Sequence, residues 1–256
     1  MDSSIKKEGK VKVQKKIKVV SLNDWHIPFE DPKVVNLMIA WCKAEQPEII
    51  VMHELHDFYL LSRFDKDPER KFTIQDEIDG VNRYMAQLRK ACPKSRMILL
   101  NSNHLARLKK YIWREAEGLA GLRALKIEEL LELKKFDIEF KENFTFKGVL
   151  FKHGDIVRKY SSYTAKGEHE REQVSGVSGH THRLGMHFHT TRGGSNVWME
   201  AGCGCLLTPE YISGIPDWQN GFAVFCFEER GNHFYPTIVP IINHQLFWGN
   251  KTFDGR

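Results

Sequence analysis

The chain has 256 residues, of which 41% are hydrophobic and 11% aromatic, enough for a sizeable core in one large or two small domains. Its apolar stretches fall short of the roughly 18 to 20 residues that span a bilayer, and its lysine-rich start lacks the apolar centre of a secretory signal. We therefore expect no membrane partner and predict a cytoplasmic location. The formal net charge of +5 is mild, and five scattered cysteines argue against a disulfide framework.

From residue 17 the sequence alternates between strand and helix patterns, which is typical of βαβ units and a largely parallel sheet. Strands are predicted at IKVVSL, EIIVM and RMILLN. Helices are predicted from Pro32, with Asp31 as the cap, after Thr73 as the cap, and roughly over 104–116.

The second half is predicted to be mostly strands, at DIEFKE, VLFKH, VSGVSG, NVWMEA, FAVFCFEE and FYPTIVPI. Another strand carries His187 and His189 on one face. Since nothing resembles a linker, residues 17–256 are predicted to form a single domain after a basic flexible tail at 1–16. Such a tail is usually solvated, and the alternative is contact with nucleic acid or another polyanion.

Residues suited to a metal directly follow five predicted strands. They are Asp24 and His26, Glu54 and Asp57, Asn103 and His104, His153, and finally His180 and His182. The carboxyl ends of neighbouring parallel strands lie side by side, roughly 5 Å apart per strand, so these groups can converge on one rim. The sequence therefore predicts a metal site there.

The stretch HELHD at 53–57 is not a zinc-protease motif, because that motif spaces its histidines four apart on a helix, whereas His53 and His56 are three apart after a strand. Both histidines are interpreted as bystanders near the site, with His53 also a candidate substrate contact. Cys203 and Cys205 form a CxC pair, interpreted as packing residues rather than soft-metal ligands because no second pair exists.

The mixture of imidazoles, carboxylates and an amide oxygen suits manganese, iron, nickel or zinc. It indicates two ions rather than one, with Glu54 the best-placed carboxylate to bridge them. Two such ions can clamp a phosphoryl group and activate a water between them.

Taken in order, DWH (24–26), HELHD (53–57), SNHL (102–105), KHG (152–154) and GHTH (179–182) resemble the motifs of the calcineurin-like metallophosphoesterase superfamily. Those motifs run DxH, GDxxD, GNH before an acidic residue, a lone His, and GHxH. The resemblance spans residues 17–240, and DFYLLSRFDKDP and GHTHRLG are similar to its bacterial and bacteriophage-type branch. It implies an α/β fold, specifically a four-layer αββα sandwich of two mixed sheets flanked by helices.

The resemblance also implies a role for each matching residue. One ion would be held by Asp24, His26, Glu54 and His182, and the other by Glu54, Asn103, His153 and His180, with manganese the leading candidate for both. His104 would face the phosphate as an acid or charge stabiliser, and Asp57 would orient a ligand histidine. Arg183 is a candidate phosphate contact, and a salt bridge is the equal alternative.

Four positions depart from the family pattern. Glu54 stands for Asp at the bridging position, His53 and Ser102 stand for Gly, and Leu105 replaces the acidic residue. A side chain at 53 could crowd the site, add a ligand or redirect the backbone. Loss of an outer carboxylate at 105 could lower activity roughly 10 to 100-fold.

The expected activity is phosphodiester hydrolysis with a metal-bridging hydroxide as nucleophile. Because no capping domain is apparent and the helix HLARLKKYIWR is basic, DNA or RNA is the leading natural partner. The alternatives are a catalytically weak metal-binding protein that recognises a phosphorylated or nucleic-acid partner, and a small-molecule phosphomonoesterase. The sequence does not define the oligomeric state.

Overall fold

The computed structural model describes residues 15–63, 65–66 and 68–256. Most of the predicted basic tail (1–16) therefore lies outside the described residues, and Lys16 is already the first residue of a strand. Among the described residues, no helix has the length and apolar character needed to cross a membrane.

The strands and helices are numbered in chain order. The strands are β1 (Lys16–Asn23), β2 (Ile49–His53), β3 (Arg96–Leu100), β4 (Ile138–Lys141), β5 (Phe144–Phe146), β6 (Val149–Phe151), β7 (Ser175–Ser178), β8 (Leu184–Thr191), β9 (Gly194–Ala201), β10 (Gly221–Glu228), β11 (Phe234–Pro240), β12 (Gln245–Trp248) and β13 (Lys251–Asp254). The α-helices are α1 (Pro32–Glu45), α2 (Ile74–Ala91), α3 (Leu105–Glu115), α4 (Ile127–Leu130) and α5 (Tyr163–Glu172).

Two mixed sheets form the centre of the fold. The first has the order β11-β10-β1-β2-β3-β4, in which β1 to β4 are parallel and β10 and β11 join antiparallel. The second has the order β5-β6-β7-β9-β8, in which β6, β7 and β9 are parallel. The parallel strands β1, β2, β3, β6 and β7 are the ones that the predicted metal-binding residues follow.

Alternation along the central strands explains how the two sheets pack. Val19, Val51 and Ile98 face the second sheet, where they meet Phe151 and Val177. The intervening residues Val20, Ile50 and Leu99 belong to the other cluster, which contains the buried faces of α1 and α2. With α5 against β7, β8 and β9 on the far side, the layers run helix, sheet, sheet, helix. The predicted αββα fold class is confirmed.

The predicted helix starts are also confirmed. Asp31 caps α1 by accepting from the backbone N of Lys33 (3.0 Å), and Pro32 is its first residue. Thr73 caps α2 in a reciprocal pair with Asp76, whose carboxylate accepts from the Thr73 backbone N at 2.7 Å.

Helix α5 was missed by the sequence analysis. Its buried residues are small or polar and include Thr164, Gly167 and Glu168. Glu168 is fully buried because Lys152 and Arg171 neutralise it, at 3.2 and 2.7 Å. Without an apolar stripe, the helix leaves no hydrophobic periodicity in the sequence.

Candidate metal centre

The loops after β1 and β2 run side by side beyond the sheet, and this pairing sets the position of the site. The backbone N of Asp24 donates to the carbonyl O of His53 at 3.1 Å, and the N of Trp25 donates to the O of Glu54 at 3.0 Å. Farther along, the N of Ile27 donates to the O of Leu55 at 2.9 Å. The parallel register of the strands therefore continues into the loops and places Asp24 and His26 beside Glu54.

One group of candidate ligands consists of Asp24, His26 and His182, all buried. The Nε2 atoms of His26 and His182 are 2.9 Å apart. Oδ1 of Asp24 lies 3.7 Å from the first nitrogen and 3.8 Å from the second. Three donor atoms thus converge from the ends of β1 and β7.

A second group consists of Glu54, Asn103, His153 and His180. Nε2 of His153 lies 2.9 Å from Oε2 of Glu54 and 2.6 Å from Oδ1 of Asn103, and donor atoms of Glu54, His153 and His180 lie within 4.8 Å of one another. The same Oε2 of Glu54 lies 3.7 Å from Nε2 of His26 in the first group. The Glu54 carboxylate therefore stands between the two groups.

The backbone at these positions is unusual. Five residues of the site have φ angles between 44° and 69°: Asp24, His26, Glu54, His180 and His182. This is the left-handed region, which residues other than glycine rarely adopt. Each such residue costs of order 1 to 3 kcal/mol, and clusters of them are typical of functional sites.

Gly179 allows the GHTH loop to approach the first group closely. A Cβ placed at Gly179 would lie 2.4 Å from Oδ2 of Asp24. The backbone N of His180 donates to the same oxygen at 3.0 Å. Only glycine leaves room for this carboxylate next to the loop.

The charges in the site are strongly coupled. Burial opposes a charge on His26, but the nearby carboxylates of Asp24, Asp57 and Glu54 raise the pKa of its imidazole well above the usual value. Burial lowers the pKa of His182, and His26 lowers it further. Burial opposes ionisation of Glu54, yet the neighbouring imidazoles of His153 and His26 hold its pKa well below the usual value. The site thus combines an ionised carboxylate with a neutral imidazole, both suited to metal binding.

Asp57 orients His26, in agreement with the expectation that Asp57 contacts a ligand histidine. Oδ2 of Asp57 lies 2.9 Å from Nδ1 of His26, which leaves Nε2 free to face the site. Arg107 holds Asp57 in turn, by an ion pair to Oδ1 and a 2.9 Å hydrogen bond to its carbonyl O. A second nitrogen of Arg107 lies 2.7 Å from Nε2 of His104, whose Nδ1 is 3.4 Å from Oε1 of Glu54.

Sequence reasoning missed Arg107, although it lies three residues after His104 on a predicted helix, a spacing that places both on one face. It also missed Glu200 at the end of β9. Glu200 is buried, accepts from Oγ1 of Thr181 at 2.7 Å and from the backbone N of Ser162 at 2.7 Å. It therefore supports the loop that carries His180 and His182.

Two predicted substrate contacts do not lie where substrate would approach. His53 is fully buried, with Nε2 3.0 Å from Oγ of Ser21 between the sheets, so it fills the space beneath the site. The structure contradicts a substrate contact there. Arg183 takes the alternative role, an ion pair with Asp217 at 3.3 Å. Burial lowers the pKa of His53 to about 3, which keeps its imidazole neutral.

The other two departures from the family pattern, Leu105 and Ser102, are accommodated by contacts with neighbouring residues. Leu105 is buried in the helix-side core, and Oγ of Ser102 accepts from the Leu105 backbone N at 3.3 Å. Cys203 and Cys205 are buried, but their Sγ atoms also lie within 4.8 Å of a ring nitrogen of His182, a grouping with a candidate ligand that the sequence analysis did not expect. The cysteines therefore lie behind a candidate ligand.

Seven predicted ligands, Asp24, His26, Glu54, Asn103, His153, His180 and His182, thus lie in two adjoining groups. Nδ1 of His153 is buried without a hydrogen-bond partner among the described residues. Two buried imidazole nitrogens facing each other at 2.9 Å are satisfied by a shared proton or a common cation. The donor set therefore fits divalent metal ions.

No protein-family model matches the chain. Two curated relatives, each named "Gene 54 protein", come from Mycobacterium phages D29 and L5. Each is 28% identical over 256 residues, covering 93% of this chain and 97% of the relative.

Among solved structures, the chain is similar to Vacuolar Protein Sorting 29 from Cryptosporidium parvum. The identity is 12% and the TM-score 0.47, covering 93% of this chain and 98% of that chain. A second similar structure, wild-type Vps29 from Entamoeba histolytica complexed with Zn²⁺, has 11% identity and a TM-score of 0.46, covering 94% of this chain and 100% of that chain.

Proposed function

We propose that the protein is a metal-dependent phosphoesterase that binds two divalent ions and hydrolyses phosphodiesters. The observation that carries this proposal is the position of Glu54. Its Oε2 lies 2.9 Å from Nε2 of His153 and 3.7 Å from Nε2 of His26, one nitrogen from each ligand group. A carboxylate in that position can give an oxygen to each of two ions.

In this proposal, one ion is held by Asp24, His26, Glu54 and His182, and the other by Glu54, Asn103, His153 and His180. Manganese is the first candidate, followed by iron, nickel and zinc, since mixed nitrogen and oxygen ligands suit all four. When bound, the two ions polarise the phosphoryl group and lower the pKa of water.

The chain's own residues supply positioning and a hydrogen-bond donor. Because an Arg107 N–H points at Nε2 of His104 at 2.7 Å, that nitrogen accepts and the proton of the neutral ring is on Nδ1. Nδ1 lies 3.4 Å from carboxylate oxygens of both Glu54 and Asp57 and is itself buried, while the residue as a whole is partly exposed. In this proposal, His104 donates a hydrogen bond from Nδ1 to a phosphoryl or leaving oxygen and so stabilises the negative charge that develops there. Asp57 and Arg107 hold the rings of His26 and His104 in position.

The charge around the opening favours a diester over a monoester. A monoester dianion calls for an additional cation beyond the two ions, and the two guanidinium groups beside the candidate ligands, those of Arg107 and Arg183, are already paired. Arg107 is paired with Asp57, and Arg183 with Asp217. A diester carries one negative charge and needs no further partner.

The test is turnover of a chromogenic phosphodiester and of the matching monoester, with manganese, iron, nickel and zinc supplied in turn. We expect the diester to be hydrolysed faster, and hydrolysis to stop on chelation. Metal binding without turnover of either compound would identify the catalytically weak binder instead. Faster monoester hydrolysis would identify a phosphomonoesterase.

A further inference from the structure

A basic cleft begins where the candidate metal centre ends. It has a volume of about 420 Å³ and is lined by Leu61, Ser62, Arg63, Arg107, Lys110 and Arg114. Four of these six residues are basic and none is acidic. We call it the α3 cleft, since Arg107, Lys110 and Arg114 all belong to helix α3.

The spacing of these residues places them on one face of the helix. Arg107, Lys110, Tyr111 and Arg114 stand at positions i, i+3, i+4 and i+7, which share a face. Tyr111 is 40% exposed, so an aromatic ring lies on the same face as the three cations. The rise from Arg107 to Arg114 is roughly 10 Å, about the axial length of three phosphates in one strand of a nucleic acid.

The cleft is joined to the metal centre through Arg107. This residue contacts Nε2 of His104 at 2.7 Å and the carbonyl O of Asp57 at 2.9 Å, and it also lines the cleft. A chain bound along α3 therefore leads directly into the site where a phosphoester would react.

The cations beyond Arg107 are available for an external anion. Arg63, Lys110 and Arg114 are exposed, and within the described ranges no carboxylate lies at ion-pair distance from Arg63 or Lys110. Arg114 has only Glu115 at 3.9 Å, with both side chains about half exposed, a pair of little energetic value. Asp57, a buried acid in contact with Arg107, is already neutralised by that residue.

We propose that the α3 cleft binds the sugar-phosphate backbone of a polynucleotide whose scissile phosphodiester lies in the metal centre. This rests on the proposed phosphodiesterase function and names its substrate class. The contacts are with phosphates, so they position the strand without reading its sequence, while Tyr111 offers a ring for base stacking.

The test is equilibrium binding of a fluorescent oligonucleotide to the full chain over a range of salt concentrations, with and without chelator, using DNA and RNA in parallel. The triple variant R63Q/K110Q/R114Q removes three cleft charges. The matched control K90Q/K94Q/K134Q removes three exposed charges from the opposite end of the first sheet, in the segments that precede β3 and β4. The two variants lower the net charge equally.

For single strands, the slope of log K against log salt changes by about 0.7 per phosphate contact, so the cleft variant should lose roughly two units of slope. The control should keep the wild-type slope. Tighter binding of DNA or of RNA would identify the natural polymer, and either result supports the proposal. Equal slopes in the two variants, or binding of poly-glutamate as tight as that of the oligonucleotide, would overturn it.

The result is separable from the proposed activity. If the chromogenic diester is not hydrolysed but the slope falls only in the cleft variant, the phosphodiesterase proposal fails and the cleft remains a polynucleotide-binding surface. If the diester is hydrolysed and the slopes are equal, the catalytic proposal stands and its substrate is not a polynucleotide held by α3.

Discussion

Nε2 of His26 and Nε2 of His182 lie 2.9 Å apart, although 156 positions separate the two residues in the chain. Without a metal, the contact requires one proton between them. Carboxylate neighbours raise the pKa of His26, and burial lowers that of His182, so His26 carries the proton and His182 accepts it. A divalent ion between the two rings would release this proton, which makes metal binding weaken as pH falls.

The substitution Asp57→Asn should lower metal affinity without abolishing metal binding. The change removes the charge that accepts from Nδ1 of His26, and loss of such a contact typically costs 10 to 100-fold in metal affinity. Titration with manganese measures the effect. Asp65→Asn, an exposed acid on the same connecting segment, serves as the control. Unchanged affinity in Asp57→Asn would show that the hydrogen bond to His26 does not matter for binding.

Substitutions of Glu54 should distinguish the effect of its negative charge on metal binding from the effect of its side-chain length. Glu54→Gln keeps the shape of the side chain but not its charge, so we expect at least one ion to bind roughly tenfold more weakly or worse. Glu54→Asp keeps the charge between the two ligand groups and should retain both ions. The measurement is the metal content of the Glu54→Gln and Glu54→Asp variants after reconstitution. Equal loss in both variants would mean that the length of the glutamate is itself required.

His104→Ala should separate turnover from metal binding. Loss of a positioned hydrogen-bond donor to the charge that develops in the transition state typically lowers the rate by roughly 10² to 10³. Metal content should stay near that of the wild type, whereas His153→Ala should lower metal content itself, because Nε2 of His153 lies among Glu54 and Asn103. If His104→Ala lost metal as readily as His153→Ala, His104 would be a metal ligand and not a stabiliser of charge on the substrate.

A buried acid outside the metal centre should make stability depend on pH. Burial raises the pKa of Glu77 from 4.5 to about 8, even though its carboxylate accepts from the backbone N of Phe58. Because the pKa of Glu77 is higher in the folded chain than in the unfolded chain, the folded chain keeps the proton on Glu77 between about pH 4.5 and pH 8, where the unfolded chain has lost it. The contribution of this raised pKa to the free energy of unfolding is complete below about pH 4.5 and is lost as pH rises through 8.

Glu77→Gln should remove this dependence, since the amide stays neutral at every pH. Melting temperatures of wild type and variant, compared at pH 6 and pH 9, provide the measurement. We expect the difference between the two proteins to shift in favour of the variant at pH 9. A difference that does not change with pH would show that Glu77 ionises freely in the folded protein.

Much of the site could be predicted because its ligands immediately follow strands with clear patterns. The ends of β1, β2 and β3 adjoin in a parallel sheet, so Asp24, Glu54 and Asn103 could be expected together from the order of the elements alone.

The residues that support the ligands could not be predicted in the same way. Arg107 was on a predicted helix, but its partner Asp57 is 50 positions away, and only the packing of α3 brings them together. Glu200 meets Thr181 because β9 lies beside β7, an order that local patterns do not determine. His53 shares a face with Val51, and that this face is covered depends on the second sheet.

The most direct test of the account is the number of metal ions per chain. The purified protein is reconstituted with manganese, freed of excess metal, and analysed for metal content, with Glu54→Ala in parallel. The account predicts about two ions per wild-type chain, fewer in the variant, and a lower melting temperature after chelation, because ions that bind only the folded state stabilise it. A wild-type content near zero, with a melting temperature indifferent to chelator, would contradict it.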